Sequence, residues 1–246
     1  MTPEPTQPPA RRAGRLVRRR EIWWPTLGGW LLVLGVIGLG AWVVVRQAYP
    51  LLAAQSPAPG ARILIVEGWL DPDELDQAVR TFRQGRYERV ITTGGPMIAW
   101  DSSCTWDSYA HRAAGYLRAN GLGDVPLDIV PAPASRQERT YLSAVMVREW
   151  LKRSRIEPAA IDLYSAGVHA RRSRLLFQMA LGPQTTVGVF AAVPAHFDAD
   201  RWWETSAGVK AVLGEMVGMA WTHCCFWPGA PGTHEERWAV PRSAPG

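Results

Sequence analysis

The sequence predicts an α/β fold, a three-layer Rossmann-like parallel sheet, preceded by one N-terminal transmembrane helix. Three observations carry this prediction. Residues 22–45 contain no charged side chain. Downstream, five short β-branched runs alternate with helix-periodic segments. Successive strands are also far enough apart for a crossover helix, as parallel pairing requires. The 246 residues fit one domain with appendages, and a hydrophobic content of 47% excludes a wholly disordered chain.

The transmembrane helix is expected over residues 22–46. About 20 apolar residues cross a hydrocarbon core of ~30 Å, and Trp23, Trp24 and Tyr49 flank the run where aromatic rings favour the interface. A basic tail over residues 1–21 precedes it. Arg11, Arg12, Arg15, Arg18, Arg19 and Arg20 face one acid, Glu4, within the first twenty residues, and only Arg46 closely follows the span. This asymmetry predicts a single pass through an inner or plasma membrane, with the N-terminus cytoplasmic and the C-terminal domain extracytoplasmic. The run exceeds a secretory h-region of about 7–15 residues, and Ser56-Pro57-Ala58 is a poor cleavage site, so an uncleaved anchor is favoured over a signal peptide. The tail also explains the net charge of +5, because the rest of the chain holds 21 basic and 21 acidic residues. A neutral folded part lacks the basic face that neutralises phosphates. Membrane lipid is therefore an expected partner and nucleic acid is not.

Residues 47–61, with Pro50, Pro57, Pro59 and Gly60, read as a linker. Residues 62–66 form the first strand. Asp71-Pro72-Asp73-Glu74 supplies an N-cap, a proline at the first helical position and capping-box spacing. Leu75, Ala78, Val79 and Phe82 then share one helical face, and Gly85 ends the helix. Residues 89–93 form the second strand, broken by Gly94-Gly95-Pro96, and a loop follows over 96–107. Tyr109, Ala113, Tyr116 and Leu117 mark the next helix, stopped at Asn120-Gly121. After a third strand at 127–130, Ser135 and Glu138 have capping-box spacing and open a helix bearing Leu142, Val145, Met146 and Trp150. A strand at 160–165, a helix at 169–181 and a strand at 185–191 continue the alternation. A last amphipathic helix lies within 202–226, anchored by Trp202-Trp203, and its Lys210 and Glu215 make it a poor second span. The α/β domain thus covers 62–227, and the Pro/Gly-rich stretch 228–246 reads as a loose tail.

An extracytoplasmic domain permits disulfides. Adjacent cysteines bridge rarely because disulfide geometry is demanding, so Cys104 with either Cys224 or Cys225 is the expected pairing if one forms. His223-Cys224-Cys225 lacks a second ligand pair at a metal-site spacing, and no metal is expected.

In an open parallel sheet, ligands bind beyond the carboxyl ends of the strands. That rule selects Glu67, Gly68 and Trp69 after the first strand, and Thr93, Gly94 and Gly95 after the second. It selects Ser135, Arg136, Arg139 and Thr140 after the third, and Ser165, Gly167, His169, Arg171 and Arg172 after the fourth. Glycines admit a ligand to the backbone, and helix N-termini offer free N–H donors to an anion. Arg139 and Arg172 can hold phosphate or carboxylate, and His169 can move a proton near neutrality. Plainer roles stand beside these. A turn accounts for Gly94-Gly95, an ion pair for Glu67, a solvated helix face for Arg171 and Arg174, and a cap or packing for His169. No dinucleotide fingerprint, P-loop, HExxH or GxSxG motif is present.

The segments ILIVEGWLDPDELDQAV, VITTGGP, SRQERTYLSA and SAGVHARRSRLLF, in this order, resemble the YdcF/SanA/ElyC family of bacterial proteins over residues 62–227, nearest its SanA-like membrane-anchored branch. The family pattern matches Gly68, Gly94, Gly95, Thr140 after Arg139, and His169 three residues before Arg172 and Ser173. Two departures stand out. Asp107-Ser108-Tyr109 replaces a Ser-Glu pair common in the family, and Val-Glu-Gly-Trp replaces a double glycine after the first strand. The resemblance implies a Rossmann-like fold and a link to envelope integrity or cell-wall precursor metabolism. It also brings an association of one member class with S-adenosylmethionine, which an extracytoplasmic pocket disfavours, so no cofactor is assigned. The expected activity is phosphoester hydrolysis or transfer on a phosphorylated or lipid-linked cell-wall precursor. Glu67, Gly68, Gly94, Gly95, Arg139, Thr140, Ser165 and Arg172 would bind the ligand and His169 would act as the catalytic residue. The alternative is a non-catalytic binding or scaffolding module for envelope assembly.

Overall fold

The computed structural model describes residues 24–97, 106–135, 137–233 and 236. The chain divides into two compact units, Met1–Trp42 and Val43–Gly246. The described part of the first unit is the start of helix α1 (Leu27–Leu52). Its side chains up to Trp42 are apolar and almost all exposed. By length and composition, α1 is the one candidate membrane span among the described residues. The helix runs six residues past its expected end at 46. Those last turns belong to the second unit, where Ala48 and Leu52 are buried against Val168, Trp202 and Val212. The Trp202 indole donates to the Val45 carbonyl at 3.1 Å.

The second unit is a five-stranded, fully parallel sheet: β1 (Ile63–Glu67), β2 (Arg89–Gly94), β3 (Leu127–Pro131), β4 (Ala160–Ala166) and β5 (Thr186–Ala192), in the order β3-β2-β1-β4-β5. All five side chains of β1 are buried, as a strand covered on both faces requires. Ile63 and Ile65 join the core under α4 (Arg139–Arg153) and α5 (Ala170–Leu181). Leu64 and Val66 join the core under α2 (Pro72–Gln84) and α3 (Tyr109–Leu117). The strand order reverses between β1 and β4, so a crevice opens there at the carboxyl ends of the strands. The alternation predicted from sequence is thus present. Helix α6 (Ser206–Cys224) closes the domain, after a 3₁₀ turn at Ala199–Glu204.

Several expectations are corrected. Residues 53–61 are not a free linker. Ser56 pairs antiparallel with Val189, Gln55 bonds the backbone of Ala191, and the Ala58 N–H donates to Asp162 at 2.7 Å. This segment covers the outer edge of β5, which would otherwise present unpaired backbone. Ser135 and Glu138 form no capping box. Ser135 closes a local turn onto Gln137, and Glu138 caps α4 with a left-handed backbone, φ 39° and ψ 47°. His169 ends a 3₁₀ turn (Gly167–His169) ahead of α5. Helix α6 is not amphipathic, since much of its outer face is apolar too. The tail returns to the domain at Glu236, whose buried carboxylate accepts from Arg148 on α4. Cys224 and Cys225 are bonded to each other, against the expectation for neighbours. Cys104, Arg136 and the basic tail over 1–21 lie outside the described residues.

Candidate functional site

A cavity of about 730 Å³ occupies the crevice at the β1/β4 reversal. Four sequence patches, far apart in the chain, meet on its walls: Glu67 ending β1 with Trp69 after it, Thr93 to Pro96 at the end of β2, Ser135 and Glu138 to Thr140 before and into α4, and His169 with Arg172 after β4. The strands end together because their registers align Glu67 with Thr93 and Gly94 with Pro131.

The imidazole of His169 has four close neighbours. Its Nδ1 lies 2.8 Å from Glu215 Oε1 on α6, its Nε2 lies 3.3 Å from the Thr140 hydroxyl, and the Trp69 ring packs on it edge to face with centroids 5.2 Å apart. Arg172 grips both oxygens of the same Glu215, at 2.8 and 3.1 Å. Burial opposes ionisation of Glu215, but the hydrogen bonds from His169 and Arg172 outweigh it and hold the carboxyl down at about 2. Burial likewise disfavours the Arg172 cation, yet its bonds to Glu215 raise its pKa. Nδ1 also lies 3.0 Å from the Arg172 guanidinium; in the tautomer with Nδ1 protonated toward Glu215, Nε2 is the acceptor. That acceptor points toward Thr140 and the cavity.

Glu67, buried at the end of β1, accepts from the hydroxyls of Ser165 and Ser173, the latter at 2.9 Å. Ser165 therefore stands behind Glu67 and does not reach the cavity wall. Thr93 lines the cavity, and its hydroxyl is buried with no hydrogen-bond partner among the described residues. A buried hydroxyl in that state costs about 1–3 kcal/mol unless a ligand group meets it.

The N-terminus of α4 also opens here. No side chain caps it among the described residues, so its first N–H groups are free for an anion. Exposed Arg139 stands at its first turn with no charged partner among the described residues. The left-handed Glu138 is a conformation rare outside glycine, and it turns the chain into this helix beside the cavity. Gly94 and Gly68 have a packing reason. Gly94 has φ +154°, and a Cβ there would lie 2.9 Å from that of Tyr109, while at Gly68 a Cβ would run into the Tyr109 carbonyl. Both let α3 start close against the strand ends, and Gly68 does not line the cavity. Gly95 lines it, and a Cβ there would meet only the Pro133 carbonyl, at 3.9 Å. Arg171 points away, to the Leu51 carbonyl of α1.

Sequence reasoning passed over Glu215 as a site residue. Its signal was a single carboxylate in the otherwise uncharged run 211–222. A second, shallower depression of about 470 Å³ lies between α2 and the β4–β5 edge, but no carboxylate or imidazole lines it. Compared with models of known protein families, with curated proteins and with solved structures, the chain matches none.

Proposed function

We propose that the chain is a membrane-anchored hydrolase or transferase of phosphoesters, acting on a phosphorylated or lipid-linked precursor of the cell envelope. The observation that carries this reading is the line Glu215–His169–Thr140, which ends beside a helix N-terminus without a side-chain cap, and an arginine without a charged partner, among the described residues. In this reading the α4 N–H groups and Arg139 hold the phosphate. Glu215 keeps His169 in the tautomer whose Nε2 accepts a proton. A water or acceptor hydroxyl attacks phosphorus and gives its proton to Nε2, the bond from phosphorus to the leaving oxygen breaks, and the imidazolium returns the proton to that oxygen. The Thr93 hydroxyl supplies a further contact. Arg172 stays with Glu215 and acts as a positioning residue, a change from the ligand-binding role expected for it.

The resemblance to the YdcF/SanA/ElyC family supports the envelope setting, and α1 supports the membrane anchor. Catalysis is tested by measuring phosphate release from phosphomonoesters and from prenyl diphosphates with the purified full chain. Loss of turnover by about 10²–10⁴-fold in His169→Ala, with binding of a non-hydrolysable phosphonate analogue retained, is the expected result. Unchanged turnover in His169→Ala would sink the catalytic assignment. Binding with no turnover in the wild type would favour the non-catalytic module.

A further inference from the structure

Helix α6 has two unlike sides. One delivers Glu215 into the cavity. The other bears Leu213 and Val217, with Met216 beside them, and Trp221 stands at its edge, its indole N–H donating to Glu138 Oε1 at 3.3 Å while the ring stays exposed. Val217 is 70% exposed, Trp221 52%, and Trp227 just past the helix 80%. Across residues 211–222 the only charged residue is Glu215, which faces inward, and Lys210 and His223 stand at the two limits. A helix face meeting water is normally polar, and a contiguous apolar face marks an interaction surface.

What covers this face is indicated by the neighbour of α6. Val212, fully buried, packs in one cluster with Val45, Ala48 and Leu52 of α1. Val45 is the last residue of the uncharged segment, and Arg46 follows it. Within one compact unit, α6 is therefore fixed against the stretch of chain where the apolar segment ends. Indole rings such as those of Trp221 and Trp227 favour the boundary between headgroups and acyl chains.

We propose that the outer face of α6 docks on the lipid bilayer, with Leu213, Val217, Trp221 and Trp227 seated at the headgroup–acyl boundary. The helix that supplies Glu215 then brings that wall of the cavity to the membrane surface, so that a lipid-linked substrate enters along α6 without leaving the bilayer. This inference rests on the reading of α1 as an anchor. The test uses the full chain in nanodiscs of phosphatidylethanolamine and phosphatidylglycerol, one chain per disc, with a photoreactive diazirine amino acid placed singly at Val217, Leu213, Leu34 or Arg153. After irradiation, mass spectrometry identifies what each position captured. The expected result is lipid adducts at 217, 213 and 34, and none at 153, on the far end of α4. Lipid at 34 with only water adducts at 217 and 213 would overturn the docking of α6 while leaving the anchor intact. Repeating the irradiation in discs loaded with two chains, protein–protein adducts at 217 in place of lipid would assign the face to a second copy and overturn the proposal equally. Absence of lipid adducts at 34 would overturn the anchor itself, and the inference with it.

Discussion

Glu215 is the residue on which the site turns. It ties α6 to the turn before α5, bonding His169 and neutralising Arg172. Because its carboxyl titrates near 2 instead of its ordinary 4.5, the sign of its contribution is fixed. The stabilisation is fully present above about 4.5 and is lost as pH falls from there toward 2. Thermal unfolding followed from pH 7 to pH 2.5 should show a steep fall in Tm for the wild type across that window, and a flatter one for Glu215→Gln. Equal slopes would remove Glu215 as a stabilising anion. No periodicity or motif distinguishes this carboxylate in the sequence, since its partner lies 46 residues away and only the folded chain joins them. His169, Thr140 and Arg139 were legible because the strand-end rule needs only the element order. The left-handed Glu138 was not, because Ser135 and Glu138 satisfy the spacing of a capping box and nothing local shows that Ser135 turns to Gln137 instead.

Among the elements, the strands were the most legible, because a buried parallel strand is a short β-branched run whatever its neighbours. The segment 53–61 was the least legible. Its prolines signal a loop, while its bonds go to β4 and β5, more than a hundred residues away. Gly188 makes that docking possible. A Cβ there would collide with Asp162 Oδ1 and with the Ala58 backbone. Gly188→Ala should cost about 1–3 kcal/mol, in the manner of overpacking. It should also expose the segment to proteases. Urea unfolding and limited proteolysis check both, and an unchanged midpoint with no new cleavage near Ala58 would count against the account. The pairing of Cys224 with Cys225 is equally a product of the fold, since the chain turns out of α6 at Cys225.

For the whole molecule, the prediction concerns sidedness. If the arginine-rich tail keeps the N-terminus inside, alkaline phosphatase fused after Gly246 should be active and a fluorescent-protein fusion at the same place dark. The opposite pattern would put the cavity in the cytoplasm and reopen cofactor chemistry based on S-adenosylmethionine.

The buried end of α1 has a consequence for reach. A folded body on a slack tether explores a volume that grows with the tether's length. Here Val45, Ala48 and Leu52 are part of the domain's interior, and Gln55, Ser56 and Ala58 are bonded to its strands. Within this unit, the end of α1 and the sheet therefore keep one spacing. Inserting flexible residues after Gly60 would lengthen the chain yet leave the distance from Val45 to His169 as it is.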